Sequence, residues 1–190
     1  LLLRCLALLL LAFVFARPFV TVDDPADATR RDRQWIVVLL DRSASMQRGD
    51  LWQQAKAGVQ TAIGQLGTGD RFSLIAFDDS TEPLAEIASW LGQASGAEVN
   101  ARLERLAKPG FGGSNLGQAL VFAGEAIQED EPGPDEPPLA RREIIVISDL
   151  QKGSRLGDVQ GYEWPTGIHV TLKQIGEDDQ GNAGIEQVAS

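Results

Sequence analysis

Three short stretches of the chain carry small oxygen-bearing side chains at spacings that allow them to act together. In Asp41-Arg42-Ser43-Ala44-Ser45, one carboxylate and two hydroxyls alternate along five residues, so a single tight turn can aim all three at one point. Gly112-Gly113-Ser114-Asn115 offers a further hydroxyl after glycines that permit a sharp turn, and Ser148-Asp149 offers a second carboxylate. Asp41, Ser43, Ser45, Ser114 and Asp149 make a set of hard oxygen donors suited to Mg²⁺ foremost, or Mn²⁺ or Ca²⁺, and not to softer metals. Two carboxylates balance a divalent charge, and neutral hydroxyls leave the ion electron-poor. Such an ion remains a strong acceptor for one more carboxylate from outside, which is a device for binding a partner.

The surrounding elements are those expected to hold such loops. Trp35 to Leu40 is a run of bulky apolar residues ending directly before Asp41, and Ile144 to Ile147 is another directly before Ser148. Short uninterrupted apolar runs of this kind predict strands covered on both faces, as in a parallel sheet. After Asp50, placed as a helix cap, Leu51, Ala55, Val59, Ala62, Ile63 and Leu66 recur at helical spacing. Arg71 to Phe77 reads as the next strand, Leu84 to Ala88 as a short edge strand, and Val99 to Leu106 as a helix. Leu116, Leu120, Ala123 and Ile127 give another amphipathic helix, and Ile168 to Leu172 a further strand. Strands alternating with helices at these lengths predict an α/β architecture with a mostly parallel sheet. In such sheets functional groups gather beyond the carboxyl ends of the strands, where all three motif stretches fall.

Asp41-x-Ser43-x-Ser45 after a buried strand, a later Gly-Gly-Ser114 loop and Asp149 after a second buried strand resemble the metal-ion-dependent adhesion site of von Willebrand factor A domains. The resemblance runs from about Gln34 to Gln174. It implies a doubly wound, Rossmann-like three-layer fold with the ion at the carboxyl edge of the sheet. By that likeness Asp41 stands beside the ion and acts through water, Ser43 and Ser45 are direct ligands, Ser114 is a direct or switchable ligand, and Asp149 binds directly or through water. Where the family more often has threonine, this chain has Ser114, which keeps the hydroxyl and loses the β-methyl that stiffens it.

The amino-terminal part reads differently. The chain begins at Leu1 without methionine and breaks off at Ser190 as another element starts, so a piece of a longer protein is expected. Residues 5–16 are uninterrupted apolar sequence between Arg4 and Arg17. Residues 1–20 reach the length needed to span a bilayer, with the two arginines snorkelling toward headgroups. We expect a transmembrane segment over 1–20, a polar linker over 21–33 and the α/β domain over 34–190. Leucine-rich sequence ending in Ala16-Arg17-Pro18 ahead of such a domain is similar to bacterial BatA-type proteins associated with aerotolerance. That likeness implies a cell-membrane location with the domain on the periplasmic or extracytoplasmic side.

Composition bounds the alternatives. With 27 acidic and 17 basic residues the net charge is −10, and no basic stripe with interleaved aromatics argues for nucleic acid. Cys5 is the only cysteine and His169 the only histidine, so the usual zinc chemistries have too few ligands. The leading expectation is a non-enzymatic, membrane-anchored module with a divalent cation and a protein partner that offers an acidic side chain, without a small-molecule substrate. One alternative is a scaffold domain in a membrane complex with no working metal site. A remoter one is a Mg²⁺-dependent phosphohydrolase with Asp41 as nucleophile, although such enzymes want a second acid where Ser43 stands. Asp78 and Asp79 are expected to form a plain turn, and residues 129–138 a solvated acidic loop.

Overall fold

The computed structural model describes residues 33–106, 108–129, 139–151, 154–176 and 183–185. Its centre is a six-stranded sheet of β1 (Arg33–Asp41), β2 (Arg71–Phe77), β3 (Thr81–Ile87), β4 (Leu139–Ser148), β5 (Ile168–Gln174) and β6 (Ala183–Ile185). The spatial order is β3-β2-β1-β4-β5-β6. The pairs β1–β2, β1–β4 and β4–β5 are parallel, whereas β3 and β6 close the two edges antiparallel. The sheet is therefore mixed, with a parallel interior. Pro83, which has no N–H to donate, sits on the edge strand beside the register shift at Leu74/Ile75, where a proline is tolerated.

Helices α1 (Leu51–Ile63), α2 (Gln93–Arg105) and α3 (Leu116–Glu129) cover the sheet. Strand β1 shows why its sequence is apolar throughout. Ile36, Val38 and Leu40 face a core completed by Leu51, Ala55 and Val59 of α1 and by Val99 and Leu103 of α2. Trp35, Val37 and Leu39 face the opposite core, completed by Leu116, Ala119, Leu120, Ala123 and Ile127 of α3. Each residue of the strand from Trp35 to Asp41 is thus buried, which removes the polar-apolar alternation of a one-sided sheet.

Several boundaries differ from the sequence expectation for visible reasons. Helix α2 begins at Gln93, six residues before the first apolar residue that marked it, because its opening turns carry only small or polar side chains. Strand β4 begins at Leu139 and runs through Ala-Arg-Arg-Glu before reaching its apolar half. Asp50 does occupy the position before α1 but does not cap it with its side chain. Its carboxylate accepts from Gln54 Nε2 instead (3.0 Å).

No helix among the described residues is long and apolar enough to cross a membrane. The expected membrane segment and most of the linker lie outside the described residues, as does nearly all of the acidic loop at 129–138.

Candidate functional site

Parallel neighbours β1 and β4 end side by side, with Leu40 paired to Ile147. The connection leaving β1 passes through α1 on one face, and α3, which leads into β4, lies on the other. A crevice between strands whose connections diverge in this way opens at their carboxyl ends. Asp41 and Ser148, each one step beyond that paired register, lie at its floor, and Ser148 Oγ donates to Asp41 Oδ2 (2.6 Å).

The Asp41 carboxylate is fully buried and organises the floor. Oδ1 accepts from the Ser43 backbone N–H (2.8 Å), which folds the Asp-x-Ser-x-Ser stretch into a turn. Oδ2 accepts from Ser114 Oγ (3.1 Å) as well as from Ser148. Above it, Ser43 Oγ and Ser45 Oγ lie 3.1 Å apart, and Ser45 Oγ donates to Asp149 Oδ1 (3.1 Å). All five residues singled out from the sequence thus meet in one connected network, with Ser43, Ser45, Ser114 and Asp149 lining a cavity of about 210 Å³.

Two residues join them that the sequence reading did not assign as ligands. Ser148, noted only as the neighbour of Asp149, is almost wholly buried and works underneath the cavity. Its hydroxyl oxygen also accepts from the Leu150 N–H (3.0 Å). Leu150 has φ 45°, the one positive φ outside glycine among the described residues. That left-handed geometry is costly for a β-carbon-bearing residue. The second addition is Ser154, whose hydroxyl donates to Ser114 Oγ (3.4 Å) and lines the cavity. Its signal in the sequence was only a serine shortly after the second motif strand.

The glycine loop is held by backbone and side chain on both flanks. Gly110 N–H donates to Arg42 O (2.6 Å), Ala44 N–H to Gly112 O (2.9 Å), and Gln47 Nε2 to Gly110 O (2.7 Å). On the other side Gly113 N–H donates to Asp79 Oδ2 (2.8 Å) and Asn115 N–H to Asp78 O (2.8 Å). None of Gly110, Gly112 and Gly113 has a positive φ, so the sharp-turn expectation is replaced by one of close approach. A β-carbon on Gly112 would stand 2.7 Å from Asp79 Oδ2, and one on Gly110 2.9 Å from Asp78 Oδ2. Asp78 and Asp79 are therefore more than a turn: they clamp the loop that delivers Ser114. Asp79 is itself paired with Arg155, and Asp78 with Arg42 (3.1 Å). Burial pushes the Asp78 carboxyl up, but hydrogen bonds from the Ser80 N–H and hydroxyl together with the Arg42 guanidinium outweigh it and hold the group below its ordinary value.

Asp149 also has a charged partner. Arg48, on the short 3₁₀ turn Ala44–Gln47 and its exit, places Nη2 2.8 Å from Asp149 Oδ2. With its amide oxygen turned inward, Gln151 accepts from Arg48 Nη1 (2.7 Å).

The oxygen spacing provides a test of fit for a cation. Neighbouring ligands of a six-coordinate ion sit about √2 times the metal–oxygen distance apart, which for Mg²⁺ at 2.0–2.1 Å is roughly 3 Å and for Ca²⁺ at 2.3–2.6 Å roughly 3.3–3.7 Å. The two 3.1 Å hydrogen-bonded steps from Ser43 through Ser45 to Asp149 lie between these ranges, so the hydroxyls and the carboxylate are near enough to share one hard cation. No three Asp, Glu, His or Cys side chains among the described residues gather to hold an ion, so any such site here rests on hydroxyls as much as on carboxylates.

The comparisons agree with the fold. A family model described as von Willebrand factor type A domain matches residues 36–153. No curated protein matches the chain. Among solved structures, a von Willebrand factor type A protein from Catenulispora acidiphila is similar over 77% of this chain, at 20% identity and TM-score 0.58; the chain spans about a third of that protein (34%). Manganese-loaded TRAP protein of Plasmodium vivax is similar over 77% of this chain and 58% of its own, at 16% identity and TM-score 0.54. An aerotolerance-related membrane protein from Bacteroides fragilis is similar over 82% and 77%, at 18% identity and TM-score 0.50. At these identities the structures speak to the fold alone, while the family model covers more than half of the chain. The chain belongs to the von Willebrand factor type A domain family.

Proposed function

We propose that this domain holds a divalent cation, Mg²⁺ foremost, on Ser43, Ser45, Ser114, Asp41 and Asp149, and through it captures a carboxylate of a protein partner. The observation that carries this reading is the convergence of side-chain oxygens from three separate loops, those of Asp41, Ser43, Ser45, Ser114 and Asp149, in one connected network at the cavity. A bound cation supplies an electropositive acceptor with an open position toward solvent. The protein's own part is to hold the oxygens still. Asp41, accepting three hydrogen bonds, acts from behind the hydroxyls, and Ser148 fixes Asp41 in turn. The manganese-loaded relative from Plasmodium supports a cation in this fold. An N-terminal anchor over residues 1–20, with the domain on the extracytoplasmic side of a cell membrane, is the matching reading of location. The aerotolerance-related membrane protein from Bacteroides supports it.

A non-enzymatic role is the reading we favour, and the engagement of Asp41 supports it. Asp41 is buried and fully engaged, so its carboxylate is not free to attack a phosphoryl group. The single histidine, His169, is exposed on β5 and paired in register with Glu143, away from the β1 turn.

Titration calorimetry of the full chain with Mg²⁺ and Mn²⁺ tests the reading. Saturable heat that disappears in Asp41→Ala is expected, and absence of binding, or binding unchanged by that substitution, would overturn it. One observation favours a second reading, a scaffold domain without a working ion: Arg48 already neutralises Asp149. A crystal structure in Mg²⁺ with only water between Ser43 and Ser45 would favour the scaffold.

A further inference from the structure

Ser114 is the one oxygen donor of the set that stands on the glycine loop, and its backbone is pinned at three successive residues. Gly113 N–H donates to Asp79 Oδ2 (2.8 Å), Asn115 N–H to Asp78 O (2.8 Å), and the Ser114 carbonyl accepts from Arg155 N–H (2.8 Å). What the backbone leaves free is rotation about the Ser114 Cα–Cβ bond. A serine hydroxyl has three staggered positions there, and no second heavy atom on Cβ narrows the choice as it does in a β-branched residue. Ser114 is only half-buried, so packing does not make the choice either.

Two hydrogen bonds hold the position observed. Ser114 Oγ donates to Asp41 Oδ2 (3.1 Å) and accepts from Ser154 Oγ (3.4 Å). A hydroxyl has one proton and two lone pairs, so this arrangement engages the proton and one lone pair and leaves the other for the cavity that Ser114 lines. Both contacts are long beside the usual O–H···O separation of about 2.7–2.8 Å. The Asp41 oxygen is shared with Ser148, which sits closer at 2.6 Å. Neither bond alone therefore fixes the rotamer, and the pair from two sides does. Ser154 is itself anchored, with its N–H donating to Gln151 O (3.2 Å) and its hydroxyl 3.3 Å from the same carbonyl. The next residue, Arg155, gives its N–H to Ser114 O and accepts from Gly117 N–H (2.8 Å). One short stretch thus grips Ser114 by side chain and main chain together.

We propose that Ser154 is a positioning residue: its hydroxyl holds Ser114 Oγ in the rotamer that faces the cavity, in place of the steric lock that a β-branched side chain carries in itself. This deepens the proposed function and rests on its cation, but it assigns a role to a residue outside the five donors. Without the lock, up to three wells share the Ser114 side chain, and affinity falls with the fraction left in the competent one, by at most about threefold.

A double-mutant cycle combined with a rotamer measurement on the full chain tests the proposal. Calorimetry gives the Mg²⁺ affinity of the wild type, Ser154→Ala, Ser114→Thr and the double variant. Ser154→Ala is expected to weaken Mg²⁺ binding about two- to threefold when position 114 is serine. In the Ser114→Thr background the same truncation should cost no more than the error of the titration, because the β-branch then restricts the rotamer unaided. In chelator, the three-bond couplings between Hα and Hβ of Ser114 should be those of a single rotamer in the wild type and averaged in Ser154→Ala. Equal weakening in both backgrounds would overturn the proposal and make Ser154 a direct ligand. Weakening in neither, or couplings that Ser154→Ala leaves unchanged, would overturn it too. Failure of the underlying reading has a separate signature: no Mg²⁺ heat in the wild type would sink the cation, while the couplings in chelator would still decide whether Ser154 holds Ser114.

Discussion

Arg48 Nη2 lies 2.8 Å from Asp149 Oδ2 while the other oxygen of that carboxylate accepts from Ser45, so one side chain of the site is shared between an internal cation and the hydroxyl row. The pair serves as a counter-charge that any external cation must compete with. Because Arg48 is largely exposed, the competition is modest, roughly 0.2–1 kcal/mol for such pairs. Arg48→Ala is therefore expected to tighten Mg²⁺ binding by about 1.4- to fivefold, measured by calorimetry at low ionic strength. An unchanged or weakened affinity would mean that the arginine positions Asp149 more than it competes for it.

Removal of the central carboxylate should act on stability as well as on the ion. Asp41→Ala leaves the hydroxyls of Ser114 and Ser148 and the N–H of Ser43 without their common acceptor at a buried position. A cost of about 1–3 kcal/mol is expected in urea denaturation with chelator present, since orphaned buried polar groups cost this much. In Mg²⁺ the gap to the wild type should widen, because only the wild type gains from ligand binding.

The positive φ after β4 gives a prediction in which strain and packing oppose each other. Leu150 holds φ 45°, a conformation that glycine adopts freely. Such strain amounts to about 1–2 kcal/mol for a residue with a β-carbon. Glycine adds its own unfolded-state entropy and removes a half-buried side chain packed against the core beside α3, so Leu150→Gly should be neutral to about 1 kcal/mol less stable despite the strain relieved. Ser148→Ala removes the hydroxyl that both braces Asp41 and accepts from Leu150 N–H, and should lose about 1–3 kcal/mol together with affinity for Mg²⁺. Thermal melts of the two variants side by side separate strain from bracing.

Asp78 sets an acid-dependent term. Its carboxyl is held below the ordinary value of 3.8 in the folded chain, so the folded state favours the charged form. The stability it supplies is complete above that unfolded value and is lost as pH falls through the lower folded value. Asp78→Asn should be less stable than the wild type at neutral pH, and the two denaturation midpoints should converge below about pH 4. Parallel midpoints over that range would mean that Asp78 does not titrate with unfolding.

How much of this was legible in the sequence depended on the range of the physics involved. Asp41, Ser43 and Ser45 sit within five residues, so the turn could be read from spacing alone, and the buried strand before them from its unbroken apolar run. Ser114 and Asp149 were legible as helix-start and strand-end residues respectively. The role of Ser148 was not, because whether a hydroxyl faces the cavity or braces its floor depends on the pairing of β1 with β4 across more than a hundred residues. The need for glycine at Gly112 was read as turn flexibility, and Gly110 drew no expectation of its own. The real cause is the nearness of Asp78 and Asp79, which only the fold brings there. The first turns of α2 escaped notice for a simpler reason: Gln93 to Glu98 contain no large apolar residue to mark a periodicity.

The pairing of β1 with β4 carries a consequence for how the protein is made. Asp41 leaves the ribosome long before Ser148 and Asp149, and until strand β4 has docked beside β1 the early carboxylate has neither its brace nor its companion. Closing so long an intervening loop costs entropy that the docking of β4 must offset. The crevice is thus complete only in the fully registered sheet, since without β4 beside β1 the Asp-Ser-Ser turn has no assembled cradle.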